Sequence, residues 1–367
     1  MPIRVLIIDD SAFMRKALAV LLSSDASIEV LDAARNGEEG LKKIAELRPD
    51  VCTLDLEMPI MDGMTTLSKI RLLPENQRPA VLVCSTLTVA GSQMALKAMR
   101  LGASDVICKD PDAIGAGNEK IKKDIVARVK ALAPSTRAAA IREAATKPNA
   151  PKPAAHFEWK NRAMHGAGID LIVIGSSTGG PPILEQILGA IPADCPAPIV
   201  IAQHMPAMFT KSMSERLGEM CKIKVRHAEA DCKLEKGAAY ITMGGRHSRV
   251  HGIGMGGYRL EVSERPTDAL YKPSVNELFH SASLCSKERC LGIMLTGMGD
   301  DGCIGARALH ASGGLVLAQV AETCAVYGMP RAVVEAGITA AALTPTMLGQ
   351  AVAQLAPSVR AAGRAAA

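Results

Sequence analysis

Short apolar runs and longer amphipathic stretches alternate along most of the chain. In the first third the runs IRVLII, IEVLDAA, VCTLD, AVLVCS and DVIC are too short and too continuously apolar for surface helices, and they predict buried strands. Between and after them, 12–23, 38–47, 64–72, 91–100 and 118–132 carry apolar residues at helical spacing. Five strands alternating with five helices predict a parallel sheet covered on both faces, a flavodoxin-like (βα)5 arrangement, over residues 1–132.

The pattern breaks at 133–168, where Ala, Pro, Lys and Arg dominate and no continuous apolar face can form; this predicts a linker. It carries Trp159, the one tryptophan, which suits an anchor against either domain. A second doubly wound, mostly parallel α/β domain is expected over 169–356. Its strands are IDLIVIG, APIVIAQ, CLGIMLTG and GGLVLAQ, and its helices PPILEQILGAI, 206–220, PSVNELFHSASL and DDGCIGARALHAS. Shorter, glycine-rich runs over 224–264 predict strands with a hairpin. Residues 357–367 form a low-complexity tail.

Composition narrows the function. Aromatics are 2% of the 367 residues and the net charge is only +5, which disfavours base stacking and nucleic-acid binding. The ten cysteines form no CxxC pair and lie mostly in apolar runs, as buried thiols of a reducing compartment do. With neither a signal-peptide pattern nor an apolar run of about 20 residues, a cytoplasmic location without membrane insertion is expected.

Two constellations carry chemistry. In a doubly wound sheet, ligands gather at the carboxyl ends of the strands. Asp9 and Asp10 end the first strand and Asp55 the third, while Ser85 and Lys109 follow the fourth and fifth. Crowded carboxylates call for a cation, and hard oxygen ligands suit Mg²⁺. A hydroxyl and an ammonium facing them could hold the oxygens of a phosphoryl group on Asp55. Capping of helices by such acids is the plainer reading, but it does not account for five residues on four strand tips. The segment LDLEMPIMDG then resembles the motif of response-regulator receiver domains. That resemblance implies that Asp55 is the phospho-acceptor, that Asp10, Asp55 and the Glu57 carbonyl hold Mg²⁺ with Asp9 assisting, and that Ser85 and Lys109 are the switch hydroxyl and the lysine. The chain departs from the receiver pattern at Val106, where an aromatic residue is usual, and at Asp110, which precedes Pro111 where proline usually follows the lysine directly.

The second constellation begins where IDLIVIG runs into SSTGG, a strand–turn–helix with a small hydroxyl residue at the bend. A phosphate or dinucleotide loop is one reading of such a turn, but the match to GxGxxG is poor and no P-loop lysine follows. A hydrolase nucleophile fits better, although GSSTGG is not a GxSxG elbow. AQHMP puts His204 at the next strand tip, and LTGMGDDG puts Asp300 and Asp301 at a third, beside a turn whose N–H groups could face an oxyanion.

GSSTGG, IAQHMP, GGRH, KPSVNELF, LTGMGDDG and AETCAVYGMP together resemble the CheB family of chemotaxis protein-glutamate methylesterases and glutaminases. The resemblance implies Ser177 as nucleophile with Ser176 its neighbour, His204 as base, Asp301 as its orienting acid and the Met298 N–H as oxyanion donor. It implies no cofactor for the ester chemistry, methylated chemoreceptor helices as substrate, deamidation of receptor glutamines by the same chemistry, and a histidine kinase of the CheA type as phosphodonor. It further implies a receiver that covers the Ser177 cleft until Asp55 is phosphorylated. Departures from the family pattern are Ser176, Met243, and Asp300 with Asn276, which exchange Asn and Asp. Arg246 and the linker cations are candidates for contact with acidic receptor helices or, more simply, solvated surface. Three rival functions remain in view: a receiver-controlled transcription regulator, which lacks a basic helix-turn-helix here; a non-catalytic binding module; and an esterase or deamidase with another substrate.

Overall fold

A computed structural model describes residues 2–85, 88–109, 119–134, 168–254, 257–267 and 269–355. The chain divides into two compact units, 1–140 and 141–367. Most of the expected linker, Trp159, Asp110, Pro111 and the tail lie outside the described residues.

In the first unit the strands are β1 (Ile3–Ile8), β2 (Ile28–Ala34), β3 (Val51–Asp55), β4 (Ala80–Ser85) and β5 (Asp105–Cys108), in the order β2-β1-β3-β4-β5. Every pair is parallel. The helices are α1 (Ala12–Leu22), α2 (Gly37–Leu47), α3 (Gly63–Leu72), α4 (Val89–Arg100) and α5 (Glu119–Leu132). The first four start where a side chain accepts from an otherwise unpaired N–H of the first turn: Ser11 from Met14, Asn36 from Glu39, Asp62 from Thr65 and Thr88 from Gly91. Helix α1 packs beside α5, and α2 beside α3.

The second unit is built on seven parallel strands in the order β15-β14-β13-β6-β7-β10-β8. They are β6 (Leu171–Ser176), β7 (Ile199–Gln203), β8 (Lys224–Ala228), β10 (Ala238–Thr242), β13 (Cys290–Met294), β14 (Leu315–Gln319) and β15 (Ala341–Leu343). Strands β9 (Cys232–Leu234), β11 (His247–Gly252) and β12 (Tyr258–Ser263) form a separate antiparallel sheet, with β11 and β12 as the expected hairpin. Among the described residues the unit's α-helices are α6 (Gly180–Gly189), α7 (Ala207–Met220), α8 (Val275–Cys285), α9 (Cys303–Ala311), α10 (Met329–Glu335) and α11 (Pro345–Ala353). After β6 the chain adds β7, β10 and β8 on one side and later returns to add β13 on the other. That reversal makes the carboxyl end of β6 the switch point at which doubly wound sheets leave a crevice.

The elements differ from the sequence expectation in two ways. The helix expected from Asp300 begins at Cys303, because Gly302 takes a left-handed conformation (φ 99°) that leaves both acids in the preceding turn. Strand β15 and helices α10 and α11 were not anticipated; three, seven and nine residues are too few to display a clear period.

With aromatics scarce, aliphatic side chains fill most of the core, and Phe279 on α8 is one of its few large rings, fully buried. A Cβ built at Gly292 would lie 2.8 Å from that ring, and one at Gly305 would lie 2.8 Å from the Phe279 Cβ, so β13 and α9 both close on it. All ten cysteines are free thiols, and burial pushes those of Cys52, Cys84 and Cys290 upward. Phe279→Ala should lower stability by about 3–5 kcal/mol in urea unfolding, the cost of a large cavity that cannot collapse. A loss below about 1 kcal/mol would contradict this packing.

Candidate functional site

The first unit brings Asp9, Asp10 and Asp55 together with their carboxylate oxygens within 4.8 Å of one another. Asp9 and Asp55 are buried and Asp10 is exposed. Lys109, one residue beyond β5, reaches back to both buried acids; its Nζ lies 3.0 Å from Asp9 Oδ2 and also pairs with Asp55. Burial pushes the Asp9 carboxyl up; Lys109 pulls it down, and the Asp55 charge adds to the rise, which wins. Burial alone would lower the Lys109 ammonium, but hydrogen bonds to Asp55 and Asp9 outweigh it and hold it above its ordinary value. Ser85 is at the neighbouring tip, where its hydroxyl donates to the Gly91 carbonyl at 2.9 Å. Glu57 turns its N–H to Asp55 Oδ1 at 3.3 Å. The oxygen donors fit a small hard dication such as Mg²⁺.

In the second unit three strand tips are knitted together. Ser176 ends β6 and pairs with Gln203 of β7. The His204 N–H donates to the Ser176 carbonyl at 3.0 Å, and the Ser177 N–H donates to the Thr296 carbonyl beyond β13 at 3.0 Å. The Gln203 side-chain amide donates to the Ser177 carbonyl at 2.9 Å. Ser177 therefore sits on a braced turn, and its hydroxyl has no hydrogen-bond partner among the described residues. A Cβ at Gly297 would lie 2.7 Å from the Ser177 Cβ, so only glycine lets that turn approach so closely. The AETCAVYGMP segment pins the same turn: the Gly297 N–H donates to the Val326 carbonyl at 3.0 Å, and the Gly328 N–H returns to the Gly297 carbonyl at 3.1 Å. The next N–H along, that of Met298, has no protein acceptor among the described residues.

Of the two candidate acids, Asp301 faces the histidine. Its Oδ2 is 2.8 Å from His204 Nε2, and both residues are buried. Three groups at the start of α8 also donate to its carboxylate: the Val275 N–H at 2.7 Å, the Asn276 N–H at 3.1 Å and the Ser274 hydroxyl at 3.1 Å. Burial pushes the Asp301 carboxyl up, but the bond and charge of His204 and the Val275 and Asn276 N–H groups outweigh it, so its pKa falls below the ordinary value. Asp300 is exposed, and its carboxylate has no partner among the described residues. Asn276 uses its side-chain oxygen to accept from the Gly305 N–H at 2.9 Å, supporting the start of α9.

The sequence reading missed Tyr271, which stacks on His204 with ring centroids 4.5 Å apart and planes 9° from parallel. It adjoins KPSVNELF, but a lone tyrosine in a loop carries no periodic signal. Arg246 is paired with Glu264 at 2.8 Å. Among the described residues no helix is long and apolar enough to cross a membrane.

A sequence profile described as CheB methylesterase matches residues 172–352, and one described as response regulator receiver domain matches 5–115. The protein-glutamate methylesterase/protein-glutamine glutaminase 1 of Oleidesulfovibrio alaskensis is 47% identical over 355 residues, covering 92% of this chain and 94% of its own length. The corresponding protein 2 of Nitratidesulfovibrio vulgaris is 43% identical over 350 residues, covering 92% and 94%. The crystal structure of the Thermotoga maritima CheB methylesterase catalytic domain is 34% identical, covers 52% of this chain and 100% of its own, and superposes with a TM-score of 0.49.

The lowered Asp301 pKa has a stability consequence with a definite sign. A carboxyl held below its unfolded value contributes stability that is fully present above about pH 4 and is lost as the pH falls through the folded pKa. The stability gap between the parent and Asp301→Asn, from urea midpoints at a series of pH values, should therefore be widest above about pH 4 and narrow in acid. A gap that widens on acidification would contradict the assignment.

Proposed function

The chain belongs to the receiver-linked CheB methylesterase family, and from that membership we propose that it is a phosphorylation-activated hydrolase that removes methyl esters from chemoreceptor glutamates and deamidates particular receptor glutamines. In this reading Ser177 Oγ attacks the ester carbonyl while His204 takes the hydroxyl proton. The C–O bond to the methoxy group breaks, and the proton on His204 goes to it, giving methanol. Water, deprotonated by the same imidazole, then cleaves the acyl-enzyme to the glutamate carboxylate and restores Ser177. With a glutamine side chain the leaving group is ammonia.

One observation carries the assignment: the hydrogen bond between His204 Nε2 and Asp301 at the tip beside Ser177. A carboxylate accepts there, so Nε2 carries the proton and Nδ1 keeps its lone pair. Nδ1 is buried without a hydrogen-bond partner among the described residues, which leaves it available as the base. The two ring nitrogens thus exchange the places they hold in the chymotrypsin-type triad. The Met298 N–H, which has no acceptor among the described residues, supports the reading of it as oxyanion donor.

Phosphorylation of Asp55 by a histidine kinase of the CheA type would control this site. Asp9, Asp10 and Asp55, with the Glu57 carbonyl, would hold Mg²⁺, which when bound offsets the negative charge of the acids and the phosphoryl group. Lys109 would pair with the phosphoryl oxygens, and the Ser85 hydroxyl would turn from the Gly91 carbonyl toward them. A phosphoryl group adds a charge of about −2 beside an ammonium already shared by two acids. Residues 1–132 would act as the control domain, 133–168 as the connection and 169–356 as the esterase.

Methanol release from methylated chemoreceptor, with and without a small-molecule phosphodonor, tests both halves. Ser177→Ala should lower turnover by at least about 1,000-fold while keeping the urea midpoint; parental turnover would remove Ser177 from the chemistry. Asp55→Asn should retain methanol release without phosphodonor but lose its stimulation. Normal stimulation of that variant would place the phosphoryl group elsewhere.

A further inference from the structure

We propose that Tyr271 is a positioning residue for the base: its ring fixes the plane of the His204 imidazole, and the tied-down strap formed by the described residues 264–267 and 269–274 holds it there. The inference rests on His204 being the base of the proposed reaction. A hydrogen bond at Nε2 secures one edge of the imidazole, but the torsion that turns the ring is broad and one edge contact limits it weakly. A near-parallel ring at 4.5 Å blocks rotation out of plane. Edge and face together aim Nδ1 in one direction.

The contact is built rather than incidental, because the strap is anchored on both sides of Tyr271. His247 is fully buried, and its Nε2 lies 3.0 Å from the Pro266 carbonyl oxygen. Its Nδ1 accepts from the Ser274 N–H at 3.3 Å, so Nε2 is the nitrogen that carries the hydrogen. Burial lowers the His247 pKa and favours this neutral, one-donor, one-acceptor form. Arg249 donates to the Arg265 carbonyl at 3.0 Å, and the Gly245 N–H donates to the Lys272 carbonyl at 3.0 Å, next to Tyr271. The strap ends at Ser274, whose hydroxyl bonds Asp301. One segment therefore delivers a ring to the face of the base and a hydroxyl to its acid.

The chemistry favours an effect on turnover. His204 becomes an imidazolium only as the proton leaves Ser177, and an aromatic face attracts that cation more than the neutral ring. An interaction that strengthens in the transition state raises kcat and leaves KM nearly unchanged. The Tyr271 hydroxyl points near the Met298 turn, since a Cβ at Gly299 would lie 3.6 Å from it. The proposal assigns the work to the ring, so phenylalanine should serve.

The test uses the full-length chain, phosphodonor and methylated chemoreceptor, comparing Tyr271→Leu, Tyr271→Met and Tyr271→Phe. The two aliphatic variants should lose about 10- to 100-fold in kcat, between the loss of a ring contact and the drift of a base by about an ångström, with KM within about twofold. Tyr271→Phe should stay within about threefold of the parent. Urea midpoints identify any variant that loses activity by unfolding, and the conclusion is then read from the aliphatic variant that keeps its midpoint. Parental kcat in either aliphatic variant, a loss confined to KM, or a Tyr271→Phe as impaired as Tyr271→Leu would overturn the proposal. His204→Gln separates the two readings: if it keeps parental turnover, the base assignment itself fails. If it is inactive while Tyr271→Leu is unimpaired, only the positioning role falls.

Discussion

The carboxylate of Asp301 organises the second unit's site. It lies where three donors of the Ser274–Asn276 segment and one ring nitrogen of His204 converge, and no other group among the described residues joins α8 to the tip of β7 in this way. A buried carboxylate without those donors would rise in pKa and lose its charge. The N-terminus of α8 prevents this, because its N–H groups need an acceptor and carry partial positive charge. The helix and the carboxylate thus satisfy each other. The charge that survives dictates which nitrogen of His204 bears the hydrogen, and through it which nitrogen is free to take a proton.

The first unit solves the same problem of crowded acids with a side-chain cation in place of a helix end. Lys109 is shared between Asp9 and Asp55, and both contacts shield buried negative charge. A rigid set of N–H donors would lock the acids in one state. An ammonium on a flexible stem can follow charge added to Asp55, as a switch requires. In the proposed reaction Asp301 keeps its charge throughout turnover, whereas the Asp9–Asp55 pair would accept a new one. The different partners reflect these different demands.

Much of this was legible in the sequence because parallel sheets put chemistry at strand ends. Runs such as LIVIG and IVIAQ announce buried strands, and the polar residue following each run must lie at a tip. That logic located Asp9, Asp55, Lys109, Ser177, His204 and the Asp300–Asp301 pair. It could not choose between adjacent acids: Asp300 and Asp301 occupy the same tip, and the left-handed Gly302 turns one inward. Nor could it find what reaches the site from outside the strand pattern. Tyr271 lies in a segment without periodicity that His247, at the start of β11, ties down, and Val326 and Gly328 brace the Gly297 turn through their backbones.

Glycine explains why those irregular segments can approach so closely. At Gly297 the missing side chain lets the turn after β13 rest against Ser177, and at Gly244 it lets the chain after β10 lie on the backbone of Met205–Ala207, just past His204. Gly180 likewise leaves room for the Ser176 hydroxyl and the Gln203 amide beneath the Ser177 turn. A methyl group at any of these positions would push a loop away from a strand tip by a fraction of an ångström or more. Proton transfer tolerates little such displacement. The positions of the polar groups are therefore set as much by where side chains are missing as by the hydrogen bonds that finally hold them.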